Sequence, residues 1–320
     1  MRPSRSSDPH VRPFGILVAS IVLLVALDSG QGHVLSGATA FSALQTFATL
    51  GLVALGLGLT MMIREFDLSV AGMVGMAGCV AVLTGGERPL LGLLLALAGG
   101  LIGGVVQGLI MVRLRLGSVG VTLGGLLTFV GIAFVLTESR AVTYPNLRVA
   151  LELNNRVAGL FSIRSLIAFA IFAAMAAVIG YTRLGRDIIA MGSYRQGALI
   201  AGVNVNALLV GTFAFSGTMA ALSGALLSYS LASASPSGLS DVLVPAAAAA
   251  ILGGVSLSGG TGRPLGILAG VLTLAVLRAG LNALGVSPFV NDMATGGILL
   301  AVALLEGPEL VRRLRSRRFG

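Results

Sequence analysis

PLLGLLLALAGGLIGGVVQGLIMV, residues 89–112, decides the fold class of this 320-residue chain. The run contains no charged residue, and it is longer than the roughly 20 apolar residues that a helix needs to cross a bilayer core. Similar runs recur near residues 14–28, 39–62, 68–85, 118–137, 163–182, 207–231, 242–255, 265–283 and 292–306. We therefore predict an all-α integral membrane protein of about ten transmembrane helices.

The overall composition supports a membrane protein. Hydrophobic residues make up 56 % of the chain and charged residues only 10 %, with a mean hydropathy of +0.98, whereas soluble domains carry about 25 % charged residues. About ten spans with short loops account for the whole length of the chain, so residues 1–320 are expected to form a single transmembrane domain. Glycines within the runs, such as Gly99-Gly100 and Gly103-Gly104, predict helices that approach closely.

Arginine placement predicts the orientation. All 21 basic residues are Arg, and the formal net charge is +9. With a cytoplasmic N-terminus, fifteen arginines lie on the cytoplasmic side and five outside, as the positive-inside rule requires. Both termini, including the basic tails 1–13 and 307–320, are then cytoplasmic in a bacterial inner membrane. Arginines that lie between apolar runs do not indicate a nucleic-acid-binding protein. The first apolar run is not followed by the small-x-small cleavage site of a signal peptide, which favours a helix that is retained in the protein.

Two loops are long enough to contain structure. The outer one spans residues 138–162. The inner one, residues 183–206, reads RLGRDIIAMGSYRQGALIAGVNVN and is called the basic segment below. Its mixture of small, apolar and basic residues predicts short helices at the membrane surface. A loop of this length in a compact bundle is more often functional than not.

The sequence offers no enzyme site, resident cofactor or metal centre. His10 and His33 have no partners at metal-ligand spacing, and the single cysteine, Cys79, allows no internal disulfide. The glycine-rich stretch LGGVSLSGGTGRPLG, residues 252–266, is not predicted to be a P-loop, because the chain has no lysine. If ATP drives this protein, another chain binds and hydrolyses it.

A few polar residues interrupt the apolar runs. Arg278 lies within a span, where an ionisable side chain is either functional or paired structurally. Asp67 opens the third span and is either a functional group or a helix cap. Asp241 and Asp292 stand at the starts of other spans. Candidate lining groups of a translocation path are Ser69, Ser256, Ser258, Asn282 and Asn291, although buried hydroxyls also bond to helix backbone.

Five segments resemble the membrane permeases of sugar-type ABC importers, such as those for ribose and xylose. They are FDLSVAG (66–72), VRLRLGSVGVTLGGL (112–126), AMGSYRQGALIAGVNV (190–205), LGGVSLSGGTGRPLG (252–266) and GLNALGVSPF (280–289). The resemblance extends over residues 59–305. The last two segments are the most specific.

The resemblance implies a type II ABC importer permease fold. It implies two permease copies, identical or different, around a central pore, an ATPase with two fused nucleotide-binding domains inside, and an extracytoplasmic solute-binding protein. In such importers a coupling loop docks on the ATPase. The matching or neighbouring positions here are Arg186, Ala190, Gly192, Arg195, Ala198, Gly202 and Asn204. Possible path or gating residues are Asp67, Ser69, Ser256, Ser258, Arg278 and Asn282.

The chain departs from the family pattern in three places. Arg64 and Glu65 stand where the family often has two glycines, residues 243–245 lack an acidic stretch, and Arg278 replaces a common asparagine. The expected function is transport of a monosaccharide. Alternatives are an importer permease for branched-chain amino acids or nucleosides, and an ion-coupled secondary carrier with intramembrane charge pairs. Missing catalytic groups argue against a membrane enzyme.

Overall fold

The computed structural model describes residues 12–297 except Ser29, Gln31, Gly238, Leu239, Pro288, Asn291, Ala294 and Thr295. The helices whose bounds it gives are α1 Arg12–Leu27, α2 Gly37–Met62, α3 Val70–Thr84, α4 Pro89–Leu114, α5 Ser118–Leu136, α6 Leu147–Asn154, α7 Ile163–Tyr181, α8 Arg183–Ser193, α9 Arg195–Ile200, α10 Val205–Ser230, α11 Leu243–Leu252 and α12 Pro264–Ala283. Two short strands, β1 Val142–Thr143 and β2 Ser233–Ala234, and a 3-10 turn at Ser240–Val242 complete the described part.

Six helices in the described part are long and apolar enough to cross a membrane: α2, α4, α5, α7, α10 and α12. The chain is therefore a multi-pass membrane protein, but the prediction of about ten spans is not reproduced. Three predicted spans correspond to the shorter helices α1, α3 and α11, and the predicted span 292–306 lies largely outside the described residues. At 1.5 Å per residue, the 10 residues of α11 extend only about 15 Å.

Turns bound two of these helices. Residues 63–69 form a turn that contains three charged residues, and α3 begins at Val70, two residues after the predicted start at residue 68. At the end of α11, Gly254 adopts a φ of +84°, which glycine accepts without steric cost, and the chain leaves the helix. The predicted span 242–255 includes this second turn, because residues 253–255 are small or apolar.

Helix α10 forms the centre of the bundle and contacts α2, α3 and α4, while α12 contacts α1, α2 and α11. Buried residues make up 67 % of the most apolar stretch of α10 but only 17 % of that of α5, so α5 lies at the periphery. Backbones approach closely where glycines meet. A Cβ on Gly104 of α4 would collide with the Phe213 carbonyl, and one on Gly100 with that of Gly217. The prediction of close packing is confirmed at these two glycines.

The loop of residues 138–162 contains structure, as its length predicted. Strand β1 pairs antiparallel with β2, with Val142 opposite Ala234. The buried Tyr144 hydroxyl donates to the Gly85 carbonyl at 3.1 Å. Helix α6 is tied to the end of α10, because Asn154 Nδ2 donates to the Ser230 carbonyl at 2.8 Å.

Candidate functional site

The basic segment folds into two short helices, α8 and α9, as the sequence predicted. Its small residues at positions 192 and 198 face the rest of this chain. A Cβ on Gly192 would collide with the Met62 carbonyl, which also accepts a hydrogen bond from the Gly260 N–H at 2.9 Å. Ala198 is buried. Their small size therefore serves the packing of the segment within the protein, whereas docking to a partner remains a prediction.

The other matched positions of the segment differ in their surroundings. Arg186 is exposed and Ala190 is half-buried. Asn204 is the N-cap of α10, and its side chain accepts a hydrogen bond from the Ala207 N–H at 3.0 Å. Gly202 has a φ of +84° and open space around it, so backbone conformation rather than close contact requires glycine there.

Exposed apolar side chains around α9 were not singled out from the sequence. Ile200 is 87 % exposed, Tyr194 61 % and Leu199 55 %. Three such side chains within seven residues, beside an exposed Arg195, form a surface suited to a protein partner. The signal in the sequence was the apolar character of ALI within an otherwise polar and basic loop.

The segment also lies beside an apolar cavity of about 370 Å³ where α7, α8 and α10 meet. Aliphatic side chains such as Val178 and Ile188 line most of it, and Asp187 and Asn204 stand at its polar edge. The segment therefore borders this cavity, although it packs closely against Met62 and Gly260 and, at Gly185, against the Ile179 carbonyl.

The turn between α2 and α3 contacts the basic segment through two charged residues. Arg64 donates from a guanidinium nitrogen to the Ser193 carbonyl at 2.7 Å, and Glu65 forms an ion pair with Arg195 at 3.1 Å. Arg64 has a φ of +67°, in the left-handed region that favours glycine. Arg64 and Glu65, which stand at one of the three departures from the family pattern, therefore both contact the segment.

Asp67 and Ser69 lie together in the core, where they connect three helices. Asp67 accepts hydrogen bonds from the Ser69 N–H at 3.0 Å, the Ser69 hydroxyl at 2.6 Å and the Ser216 hydroxyl of α10 at 2.7 Å. Gln107 of α4 donates to the Ser69 hydroxyl at 3.0 Å. Asp67 therefore bonds an N–H just before α3, as a capping residue does, and also crosslinks α10, while a role in transport stays a prediction.

The remaining candidate path residues lie elsewhere. Ser256 and Ser258 bond each other at 2.7 Å within the glycine-rich loop. Arg278 and Asn282 are exposed on α12. Asn291 lies outside the described residues. A translocation role for these residues remains a prediction.

Arg164 was counted only as an outer arginine, yet its side chain is buried in the bundle. It donates to the Ser230 hydroxyl of α10 at 2.8 Å and to the Thr49 hydroxyl of α2. Its Nε has no hydrogen-bond partner, and no carboxylate pairs with it among the described residues. The signal for its burial was its position at the start of an apolar run.

Residues 39–303 match the protein family described as "Branched-chain amino acid transport system / permease component". The chain belongs to this permease family. The permease is 29 % identical to the ribose import permease protein RbsC of Bacillus subtilis over 93 % of this chain and 94 % of the relative. It is 31 % identical to RbsC of Escherichia coli K12, over 91 % and 92 % of the two chains.

A third relative of the permease carries a different name. The autoinducer 2 import system permease protein LsrC of Yersinia pseudotuberculosis is 31 % identical over 84 % of this chain and 78 % of the relative. No solved structure matches the permease. The matches agree with the resemblance that the motifs indicated, and they cover the turn, the basic segment and the glycine-rich loop together.

Proposed function

We propose that this permease is the channel-forming subunit of an ATP-driven importer for a monosaccharide. The observation that carries the proposal is the similarity to the ribose import permeases, which extends over more than 90 % of both chains. We place the permease in a bacterial inner membrane with both termini cytoplasmic, on the arginine distribution. It has no catalytic role and no resident cofactor in this proposal.

The ATPase, with two fused nucleotide-binding domains, docks on the basic segment. The exposed side chains of Tyr194, Leu199 and Ile200 supply an apolar contact surface, and Arg186 supplies positive charge at its edge, whereas Arg195 pairs with Glu65 of the same chain. ATP binding by the partner moves the segment, and the helix bundle follows. A solute-binding protein on the outer face delivers the sugar to a pore formed with a second permease copy, identical or different.

The proposal retains about ten membrane crossings by combining short helices with buried turns. Ile63, Asp67 and Ser69 in the turn before α3 are each at most 2 % exposed. Non-helical backbone is tolerated at membrane depth where protein surrounds it. The turn and α3 together then complete one crossing, and the segments around α1 and α11 supply two others.

The proposal is tested by reconstituting the permease in proteoliposomes with the ATPase and binding protein encoded beside it. Uptake of radiolabelled D-ribose is expected only with all components and ATP. I200D is expected to abolish retention of the ATPase on the purified permease, because it places a charge in the docking surface. L151D, at a 72 % exposed leucine of α6, is the matched control and should retain the ATPase.

Two results would contradict the proposal. Uptake by the permease alone, driven only by an ion gradient, would identify a secondary carrier. Uptake of radiolabelled leucine but not ribose would favour the branched-chain amino acid alternative, which the name of the matching family supports. The same assay with a nucleoside addresses the remaining alternative.

A further inference from the structure

Three chain segments meet at the cytoplasmic end of α2 in the proposed orientation. They are the beginning of the α2–α3 turn, the junction between α8 and α9, and the glycine-rich loop. The Met62 carbonyl accepts the Gly260 N–H at 2.9 Å and lies against Gly192. A Cβ on Gly259 would collide with the Arg64 side chain. The contacts leave no space between the basic segment and the turn.

Arg64 occupies a backbone conformation that a glycine adopts more easily. Its φ of +67° is sterically unfavourable for a residue with a side chain. The side chain also makes a contact that glycine lacks, because its guanidinium donates to the Ser193 carbonyl at 2.7 Å. Ser193 is the last residue of α8, so this bond ties the end of that helix to the turn.

Glu65 ties the beginning of the next helix to the same turn. Its carboxylate pairs with Arg195, the first residue of α9, at 3.1 Å. The Glu65 side chain is 15 % exposed and that of Arg195 is 47 % exposed, so the pair is only partly solvated. Two successive residues thus hold both sides of the α8–α9 junction.

The other end of the turn is bonded to the membrane helices. The Phe66 N–H donates to the Ser118 hydroxyl of α5 at 3.2 Å, and the Phe66 carbonyl accepts from the Thr122 hydroxyl at 3.2 Å. Asp67 accepts from Ser216 of α10 at 2.7 Å. Four consecutive residues, 64–67, therefore connect the basic segment to α5 and α10.

We propose that Arg64 and Glu65 form a clamp through which movement of the basic segment reaches α5 and α10. They act as positioning residues for energy coupling and touch neither ATP nor the sugar. The inference rests on the proposed function, in which the ATPase moves the basic segment. A clamp of this kind affects the number of sugars moved per ATP hydrolysed more than it affects folding.

The test measures D-ribose uptake per ATP hydrolysed in proteoliposomes that contain the whole transporter. E65Q and R195Q are each expected to lower this ratio about three- to fivefold, the equivalent of an ion pair worth about 1 kcal/mol. The double variant E65Q/R195Q should be no worse than either one. The charge swap E65R/R195E should recover most of the ratio, because it restores the pair with reversed signs.

Arg64 and Arg115 both adopt the left-handed backbone conformation, and substitutions at these two positions form a matched pair. Arg115, at the end of α4, also has a positive φ, +55°, and is exposed. R64G and R115G both relieve backbone strain, so neither should lower the melting temperature. Only R64G removes a bond to the basic segment, and only R64G should lower uptake per ATP.

A spin label at position 196, on the exposed face of α9, tests the contact without the partner proteins. Cys79 is first replaced by alanine. The label is expected to become more mobile in E65Q and R64G and to be unchanged in R115G. ATP-dependent uptake with a wild-type ratio in E65Q and R64G would overturn the clamp alone, as would unchanged label mobility. Ribose uptake that does not depend on ATP would overturn the proposed function and the clamp together.

Discussion

Replacing Gly104 with alanine tests whether the bundle depends on the close approach of α4 and α10. A Cβ at this position would lie 2.8 Å from the Ala214 Cα and 2.7 Å from the Phe213 carbonyl carbon, and closer still to the carbonyl oxygen. All three atoms belong to backbone and cannot rotate away. The two helices must therefore separate in G104A, by roughly 0.5–1 Å, which forfeits about a quarter to a half of the dispersion energy of each affected contact.

We expect G104A to be destabilised by about 2 kcal/mol, within the range for overpacked sites. The sole cysteine, Cys79, is fully buried in α3, so a dye that fluoresces on reaction with thiols reports unfolding on heating. For a chain of 320 residues, with an unfolding entropy of about 2.1 cal/mol/K per residue, a loss of 2 kcal/mol corresponds to a fall in melting temperature of about 3 °C. The measurement needs only the purified permease in detergent.

G99A on the same helix is the control. A Cβ on Gly99 would lie 3.6 Å from the terminal methyl of Met76, which is ordinary contact distance. G99A gains the better helix propensity of alanine without a collision and should melt at or above the wild-type temperature. If G99A and G104A melt at the same temperature, close approach of α4 and α10 does not stabilise the bundle.

Four further substitutions, at three positions, test the buried polar groups with the same assay. D67A removes the acceptor of three hydrogen bonds and should lower the free energy of unfolding by about 2–3 kcal/mol, and S216A should lower it by about 1 kcal/mol. The double variant should lose no more than D67A alone, because both changes break the same bond. Losses that add would contradict the crosslink. R164K should melt lower than R164L, because lysine retains a buried charge without reaching both hydroxyls, and the reverse order would show that the charge itself is required.

The sequence identified the membrane class and the family because these depend on local features. Apolar runs of about 20 residues indicate spans wherever they occur, as for α4 and α10. The glycine-rich motif of residues 252–266 is continuous in the chain and was recognisable without a structure. The division of the basic segment into short helices also followed from its composition.

Hydropathy located the ends of the short helices to within three residues, and the largest difference is at the end of α11. The predicted span 242–255 includes residues 253–255, because small and apolar residues continue the hydropathy pattern where Gly254 turns the chain. Hydropathy also did not show that Arg164 is buried, because an arginine at the start of an apolar run lies either in the core or at the surface, whereas Arg148, within the outer loop, is exposed. Burial depends on which helices surround a side chain, and that is a property of the assembled bundle.

The sequence by itself determined that this chain is a multi-pass permease with a basic segment between two spans. Only the tertiary structure decided that Glu65 meets Arg195, 130 residues later, and that Asp67 meets Ser216. Hydropathy and motifs are read from residues that are neighbours in the chain, so they indicate the structure that one stretch of chain favours. Contacts between distant residues depend on how helices with similar apolar surfaces are arranged, which single-stretch preferences do not specify.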